Sequence, residues 1–307
     1  MAVTQANPAK TTVRPKGQVR SRTLWYDAWL RLRRNRVAVA SVAILLILGL
    51  IAIFFPIFDP EGYRHIVRDA SGHAIPDEGP SAAHWFGTDS QSRDVFSRVM
   101  YGTRISLSVG LVSEVIILFI GVPLGLVAGY FGKWVDLVLM RLTDIMYAFP
   151  TILFAIVVMV ALGPDLKNIY FAIGFTFWPP MARLVRSQVL SLREKEFVEA
   201  ARSIGVSSRR IMFLHILPNS LGPIIVAATF GIPFAILTEA FLSFIGIGVP
   251  IPLPSWGAMI SDGRGITQLR YEPWLVIFPS IALALTLFAF NFFGDGLRDA
   301  LDPRSRK

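Results

Sequence analysis

The chain has no cysteine, which excludes disulfide cross-links and thiolate chemistry. Histidine is scarce: His65, His73, His84 and His215 are scattered without metal-ligand spacing, and only His65 and His73 share a loop. Charge is also sparse, at 17% of residues, with 21 Asp and Glu against 30 Lys and Arg. The patterns of nucleotide and hydrolase chemistry are missing. Gly132-Lys133-Trp134 has neither the upstream glycine spacing nor the following Ser/Thr of a phosphate-binding loop. No His-Glu-x-x-His and no Gly-x-Ser-x-Gly occurs. These absences lead us to expect no catalytic residue, no metal and no cofactor in this chain, and no enzyme activity of its own.

What is present is apolar surface. Of 307 residues, 53% are hydrophobic, and the mean hydropathy is +0.55, too apolar for an ordinary soluble domain. The expected architecture is all-α and integral to a membrane, with six spans. Residues 1–36 form a basic tail whose later part, with Trp25, Trp29 and Leu30 among charges, reads as an interfacial helix. Residues 37–55 form an uncleaved first span of about the ~20 residues a bilayer requires. A polar, proline-containing loop follows over 56–104, then a core over 105–293 and a charged tail over 294–307. Within the core, spans are expected over Ile105–Phe131, Ile145–Leu162, Ile169–Leu184, Ser220–Ile245 and Trp274–Phe293. Trp178-Pro179-Pro180 should kink or end the fourth. Gly121, Gly125 and Gly129 recur every fourth residue, a stripe suited to close helix packing.

Six spans place both termini on one side. With both inside, 22 of the 30 Lys and Arg are cytoplasmic, and the longest outside loop carries more acid than base. The net charge of +9 therefore reads as membrane topology and not as a nucleic-acid surface.

That topology puts 185–218 in the cytoplasm. Its polar stretch from Glu199 to Pro218 reads as two short helices joined by a bend. Gly205 stands where a left-handed helix terminus would fall, Ser207 and Ser208 can cap the second helix, and Pro218 sits at the mouth of the fifth span. Ala200 and Ala201 give the first helix a small-residue face. An amphipathic connector lying on lipid would account for the same pattern.

Glu199-Ala200-Ala201, then Gly205, then His215-Ile216-Leu217-Pro218 resembles the coupling loop of membrane subunits of ATP-binding-cassette (ABC) importers, which docks into a cleft of the ATPase. His215 is similar to the dipeptide, oligopeptide and nickel permease branch. His84-Trp85-Phe86-Gly87-Thr88-Asp89 with Arg93-Asp94-Val95 resembles the same branch, with Ser92 standing where glycine is commoner. Glu239 to Gly248, Pro254-Ser255-Trp256-Gly257 and Asn291 to Pro303 extend the likeness to the branch's "C" permease.

The resemblance implies a type I importer permease fold and a bacterial or archaeal inner-membrane location. Its implied partners are a second, non-identical permease, two ATP-binding subunits that hold ATP and Mg, an extracytoplasmic substrate-binding protein, and lipid. It implies ATPase coupling through Glu199, Ala200, Ala201, Arg202, Gly205, His215, Leu217 and Pro218.

Two carboxylates, Glu114 and Glu239, fall inside spans. A charge at the bilayer centre costs roughly 2.5–3.5 kcal/mol on insertion scales, so each should face protein or water. Either they line a substrate path and attract a peptide's ammonium group, or they hold helices together as neutral or hydrogen-bonded groups. Other readings are an ion-gradient-driven transporter with these two as proton or sodium sites, and a scaffold that anchors a membrane complex.

Overall fold

In a computed structural model, residues 24–302 are described; the basic residues up to Arg22 and the end from Pro303 lie outside them. The regular structure among the described residues is helical, with isolated β-bridges only in the loop after the first span, such as Ile66 with Arg93. Helix α1 (Leu24–Arg34) gives way at Asn35 to α2 (Arg36–Phe58). The Asn35 carboxamide accepts from the amides of Val37 and Ala38 and so starts α2.

Helix α3 (Val95–Phe131) begins ten residues before the expected start of the second span. Asp94 caps it by accepting from the Ser97 amide at 2.8 Å. The loop after α2 thus ends at Asp94, not at residue 104.

The expected third span over Ile145–Leu162 is corrected. Helix α4 (Lys133–Ala148) and helix α5 (Thr151–Leu162) meet at 87°. Pro150 lacks an N–H and pushes Phe149 into the extended region, at φ −84° and ψ 135°, which ends α4. Asp144 does not pair along its own helix with Arg141; it accepts from Arg183 across at 2.6 Å. Asp136 likewise pairs with Arg186.

Arg183 and Arg186 belong to α6 (Leu166–Arg193), which runs through Pro179 and Pro180 without ending. Helices α3 and α6 lie parallel and in register. The Ser108 hydroxyl meets the Tyr170 hydroxyl at 2.8 Å near one end, and Arg193 donates to the Gly129 carbonyl at 3.1 Å near the other. Between these points the glycine stripe works as expected. A Cβ at Gly121, Gly125 or Gly129 would approach the α6 carbonyls of Trp178, Ala182 or Arg186 within 3.0, 2.4 or 2.9 Å.

Beyond α7 (Glu196–Ser203), α8 (Ser208–Ile211) and a π-helical turn (Met212–Ile216) comes α9 (Leu217–Phe244). It packs antiparallel to α3, with Gly110 against Ile236 and Ile232, and Glu114 against Gly231. Two short helices, α10 (Trp256–Asp262) and α11 (Ile266–Tyr271), precede α12 (Trp274–Leu301). Among the described residues, four helical stretches are long and apolar enough to cross a membrane: Arg36–Phe58, Val95–Phe131, Ser208–Phe244 and Trp274–Leu301. The bent α4–α5 pair makes a fifth when counted as one span.

Candidate functional site

The stretch from α7 to α9 is built on one helix ending. Gly205 has φ +81°, the left-handed conformation expected of it. Its amide donates to the Arg202 carbonyl at 2.9 Å, and the Val206 amide donates to the Ala201 carbonyl at 3.0 Å. That pair of bonds is a Schellman ending, and it turns the chain sharply between α7 and α8. Ser207 begins α8 with its carbonyl, which accepts from the Ile211 amide at 3.0 Å; its side chain makes no capping bond.

The expected docking residues divide by face. Val198 and Ala201 are buried, in an apolar cluster with Ile211, Met212, Ile216 and Tyr130. Glu199, Ala200, Arg202 and Gly205 are exposed. The Arg202 guanidinium lies over the Tyr130 ring, 5.3 Å from its centroid. Ala201 therefore secures α7 to its own bundle, while Ala200 faces outward.

Four large apolar side chains are exposed on the same segment: Phe197, Ile204, Phe213 and Leu214, with Ile204 80% exposed. Their outward direction follows from the Schellman turn and the π turn.

The second half of the loop does not stop at Pro218. Ser208–Phe244 forms one continuous helical stretch. The π turn just before Pro218 absorbs the misfit of a ring that has no N–H and crowds the preceding turn. The His215 carbonyl accepts from the Asn219 carboxamide at 2.6 Å, and Leu217 packs against the same apolar cluster as Ala201. α7 and the start of α9 thus meet through the apolar cluster, and α8 runs into α9 as continuous helix.

The two membrane carboxylates are not equivalent. Glu239 is fully buried, and its Oε1 accepts from the Ser243 hydroxyl at 2.6 Å. The Ser243 hydroxyl in turn accepts from the Val249 amide at 3.1 Å and from the Ser255 hydroxyl at 3.4 Å. Glu239 so pins the returning loop after α9. Trp256, at 0% exposure, is held nearby through its amide to Ser106 and its indole N–H to the Val99 carbonyl.

Glu114 is 4% exposed, and among the described residues neither of its oxygens has a hydrogen-bond partner. It lines a cavity of about 310 Å³ that does not include Glu239. The Ser243 partner of Glu239 lies one turn along the same helix, whereas the surroundings of Glu114 come from other helices.

The loop before α3 carries a buried ionic clamp that sequence reasoning left unassigned. Asp89 accepts from Arg93 Nε at 2.7 Å and from Arg98 Nη1 at 3.0 Å, and Arg98 reaches Asp262 of α10 at 3.3 Å. Asp89 also accepts from the backbone amides of Gln91 and Arg93. Ser92, where glycine was expected, sits at φ +58°. That left-handed conformation is the reason glycine suits the position.

Comparison with known proteins gives a consistent picture. Residues 121–307 match the family described as binding-protein-dependent transport system inner membrane component. Residues 23–74 match the N-terminal TM domain of oligopeptide transport permease C. The dipeptide transport system permease protein DppC of Alkalihalophilus pseudofirmus is 45% identical, over 97% of this chain and 96% of its own. The oligopeptide transport system permease protein OppC of Bacillus subtilis is 44% identical, over 94% and 92%. The glutathione transport system permease protein GsiD of Pectobacterium atrosepticum is 43% identical, over 92% of each. Among solved structures, an inward-facing form of the MetNI methionine ABC transporter has a chain alike in fold. Its TM-score is 0.54 at 20% identity, covering 67% of this chain and 96% of that one.

Proposed function

This chain belongs to the family of binding-protein-dependent transport system inner membrane components, and from that premise we propose that it is the permease subunit of an ATP-driven peptide importer. The observation that carries the reading is 45% identity to a dipeptide permease over 97% of the chain. Such a subunit forms part of the translocation path by alternating access, and ATP with Mg is held by partner subunits.

We read six crossings: α2, α3, the bent α4–α5 pair, α6, α9 and α12. The parallel packing of α3 and α6 supports this count, since the chain must return across the membrane between them. Helix α6 has a diluted apolar signal because it is packed inside the bundle, where small and polar residues replace lipid-facing ones. Both termini and the α7–α8 loop then lie in the cytoplasm, on the charge asymmetry described above. The membrane is the bacterial or archaeal inner membrane.

In this reading α7 and α8 form the coupling element. Ala200, Gly205 and the exposed Phe197, Ile204, Phe213 and Leu214 enter the ATPase cleft, while Glu199 and Arg202 make rim contacts. Ala201 and Leu217 carry the motion into the bundle, with His215 and Pro218 at the junction to α9. ATP closes the two ATPases, their movement pulls the coupling elements, and the path opens outward; hydrolysis resets it. A second permease and a substrate-binding protein complete the importer.

The test is gentle extraction of the tagged chain from its native membrane, as wild type and as Gly205→Asp. The proposal predicts a second permease and ATP-binding subunits with the wild type, and loss of the ATPases alone from the variant. A wild-type chain that is recovered only with itself would overturn the importer reading. Normal ATPase recovery with the variant would remove Gly205 from the docking surface.

A further inference from the structure

We infer that Glu114 is a recognition group for a cationic ammonium on the transported substrate, most simply the free N-terminus of a peptide. The inference rests on the importer reading above and adds a specificity-determining residue to it.

Three observations converge on this residue. First, Glu114 is a carboxylate with 4% exposure, placed within an apolar helix, and both its oxygens lack a partner among the described residues. A buried ionisable group is costly without compensation, and within a membrane helix it marks a functional position by default. Glu239 makes the contrast: its Oε2 is also unpartnered, but its Oε1 accepts from Ser243, which gives it a structural task.

Second, the carboxylate stands in a shaped space. It lines a cavity of about 310 Å³ together with Phe177, Phe230, Gly231 and Phe234. A Cβ at Gly231 would lie 2.1 Å from Glu114 Oε2, so the glycine clears the place that the carboxylate occupies. Aromatic faces beside a carboxylate suit an ammonium ion, which gains from both the opposite charge and the ring quadrupoles. They suit a small inorganic cation poorly, because it requires several oxygen ligands.

Third, the space is reachable. A neighbouring cavity of about 720 Å³ shares Leu184, Ala227 and Phe230 with the first. It extends to Pro218 and Asn219 at the start of α9, next to the coupling element. The two cavities lie end to end, and Glu114 stands in the one farther from the coupling element. A substrate's charged end placed there would sit deep in the path, with the rest of its chain along α6 and α9.

The test uses the whole transporter, with partner permease, ATPases and binding protein, reconstituted in proteoliposomes with ATP inside or outside as orientation requires. Uptake of labelled trialanine is measured for wild type, Glu114→Gln, Glu114→Asp and Gly231→Ala. Subunit composition and the ATPase rate stimulated by loaded binding protein are recorded in parallel. The inference predicts that Glu114→Gln lowers uptake about tenfold or more, as loss of a charge-assisted hydrogen bond does. Glu114→Asp should restore part of the uptake. Gly231→Ala, which displaces the carboxylate without removing its charge, should also lower it. Assembly and stimulated ATPase rate should stay within about twofold of wild type.

Wild-type-like uptake by Glu114→Gln would overturn the inference, and so would joint loss of uptake, assembly and ATPase, which would make the residue structural. Uptake driven in the wild type by a proton or sodium gradient without ATP would assign the carboxylate to an ion instead. Failure of the wild type to take up any peptide with ATP would count against the importer reading itself, and is thereby distinguished from failure at Glu114.

Discussion

The amide of Val206 donates to the carbonyl of Ala201 at 3.0 Å and closes α7 over Gly205. Ala201 and Val206 meet in the apolar cluster beneath the loop, so the helix ending and its attachment to the bundle are one feature. Among the described residues a side chain at Gly205 meets no atom within 4 Å, so within this chain its effect is conformational. Gly205→Val should cost about 1–2 kcal/mol locally, the penalty of a β-branched residue in the left-handed region. Hydrogen exchange of the Gly205-position and Val206 amides should speed up about tenfold while membrane insertion is unchanged. Unaltered exchange would mean that the turn is held by something other than this ending.

Ser92 holds a left-handed backbone, φ +58°, within the clamp loop. Replacing it with glycine relieves that strain, partly offset by the greater freedom of the unfolded chain. Ser92→Gly should stabilise the protein by about 0.5–1 kcal/mol, and Ser92→Val should destabilise it by more. Thermal unfolding in detergent checks both, and a lower Tm for the glycine variant would contradict the account.

Asp89 joins the buried guanidiniums of Arg93 and Arg98. Asp89→Asn leaves two buried cations with reduced compensation and should cost about 3 kcal/mol. Arg98 keeps its contact with Asp262, so Asp262→Asn should cost much less. Denaturation midpoints for the two variants rank them directly; equal losses would refute the assigned order.

Burial and the neighbouring Asp77 carboxylate push the Glu272 carboxyl above its ordinary range. The folded protein then binds that proton more tightly than the unfolded chain. Stability from this source is fully present below the unfolded chain's value and is lost as pH rises from there through the raised folded value. Glu272→Gln should therefore raise Tm at neutral pH and lose its advantage in acid. A variant whose Tm difference from wild type is independent of pH would show that no such coupling exists.

Much of this organisation is legible in the sequence, for identifiable reasons. Gly205 announces its conformation because few residues tolerate positive φ. The glycine stripe of α3 announces a close partner, although not that the partner is α6. The bend at Pro150 was also encoded, but the unbroken apolar run from Ile145 to Leu162 hid it, since hydropathy does not register a missing N–H. The early start of α3 was obscured by Arg98 and Arg104, charges that hydropathy assigns to a loop; Arg98 is in fact buried against Asp89 and Asp262. At the candidate sites the resemblance names the residues proposed for coupling, but does not divide them into inward Ala201 and outward Ala200. The difference between Glu114 and Glu239 was only partly legible: Ser243 stands one helical turn after Glu239, but Gly231 reaches Glu114 and Ser255 reaches Ser243 from elsewhere in the fold.

The central claim is that this chain moves substrate by the work of separate ATPases. It is tested most directly by peptide uptake into proteoliposomes holding the assembled complex, with the energy source varied. The account predicts accumulation with ATP and binding protein, none with a non-hydrolysable ATP analogue, and none with an imposed proton or sodium gradient alone. Accumulation driven by a gradient in the absence of ATP would contradict it.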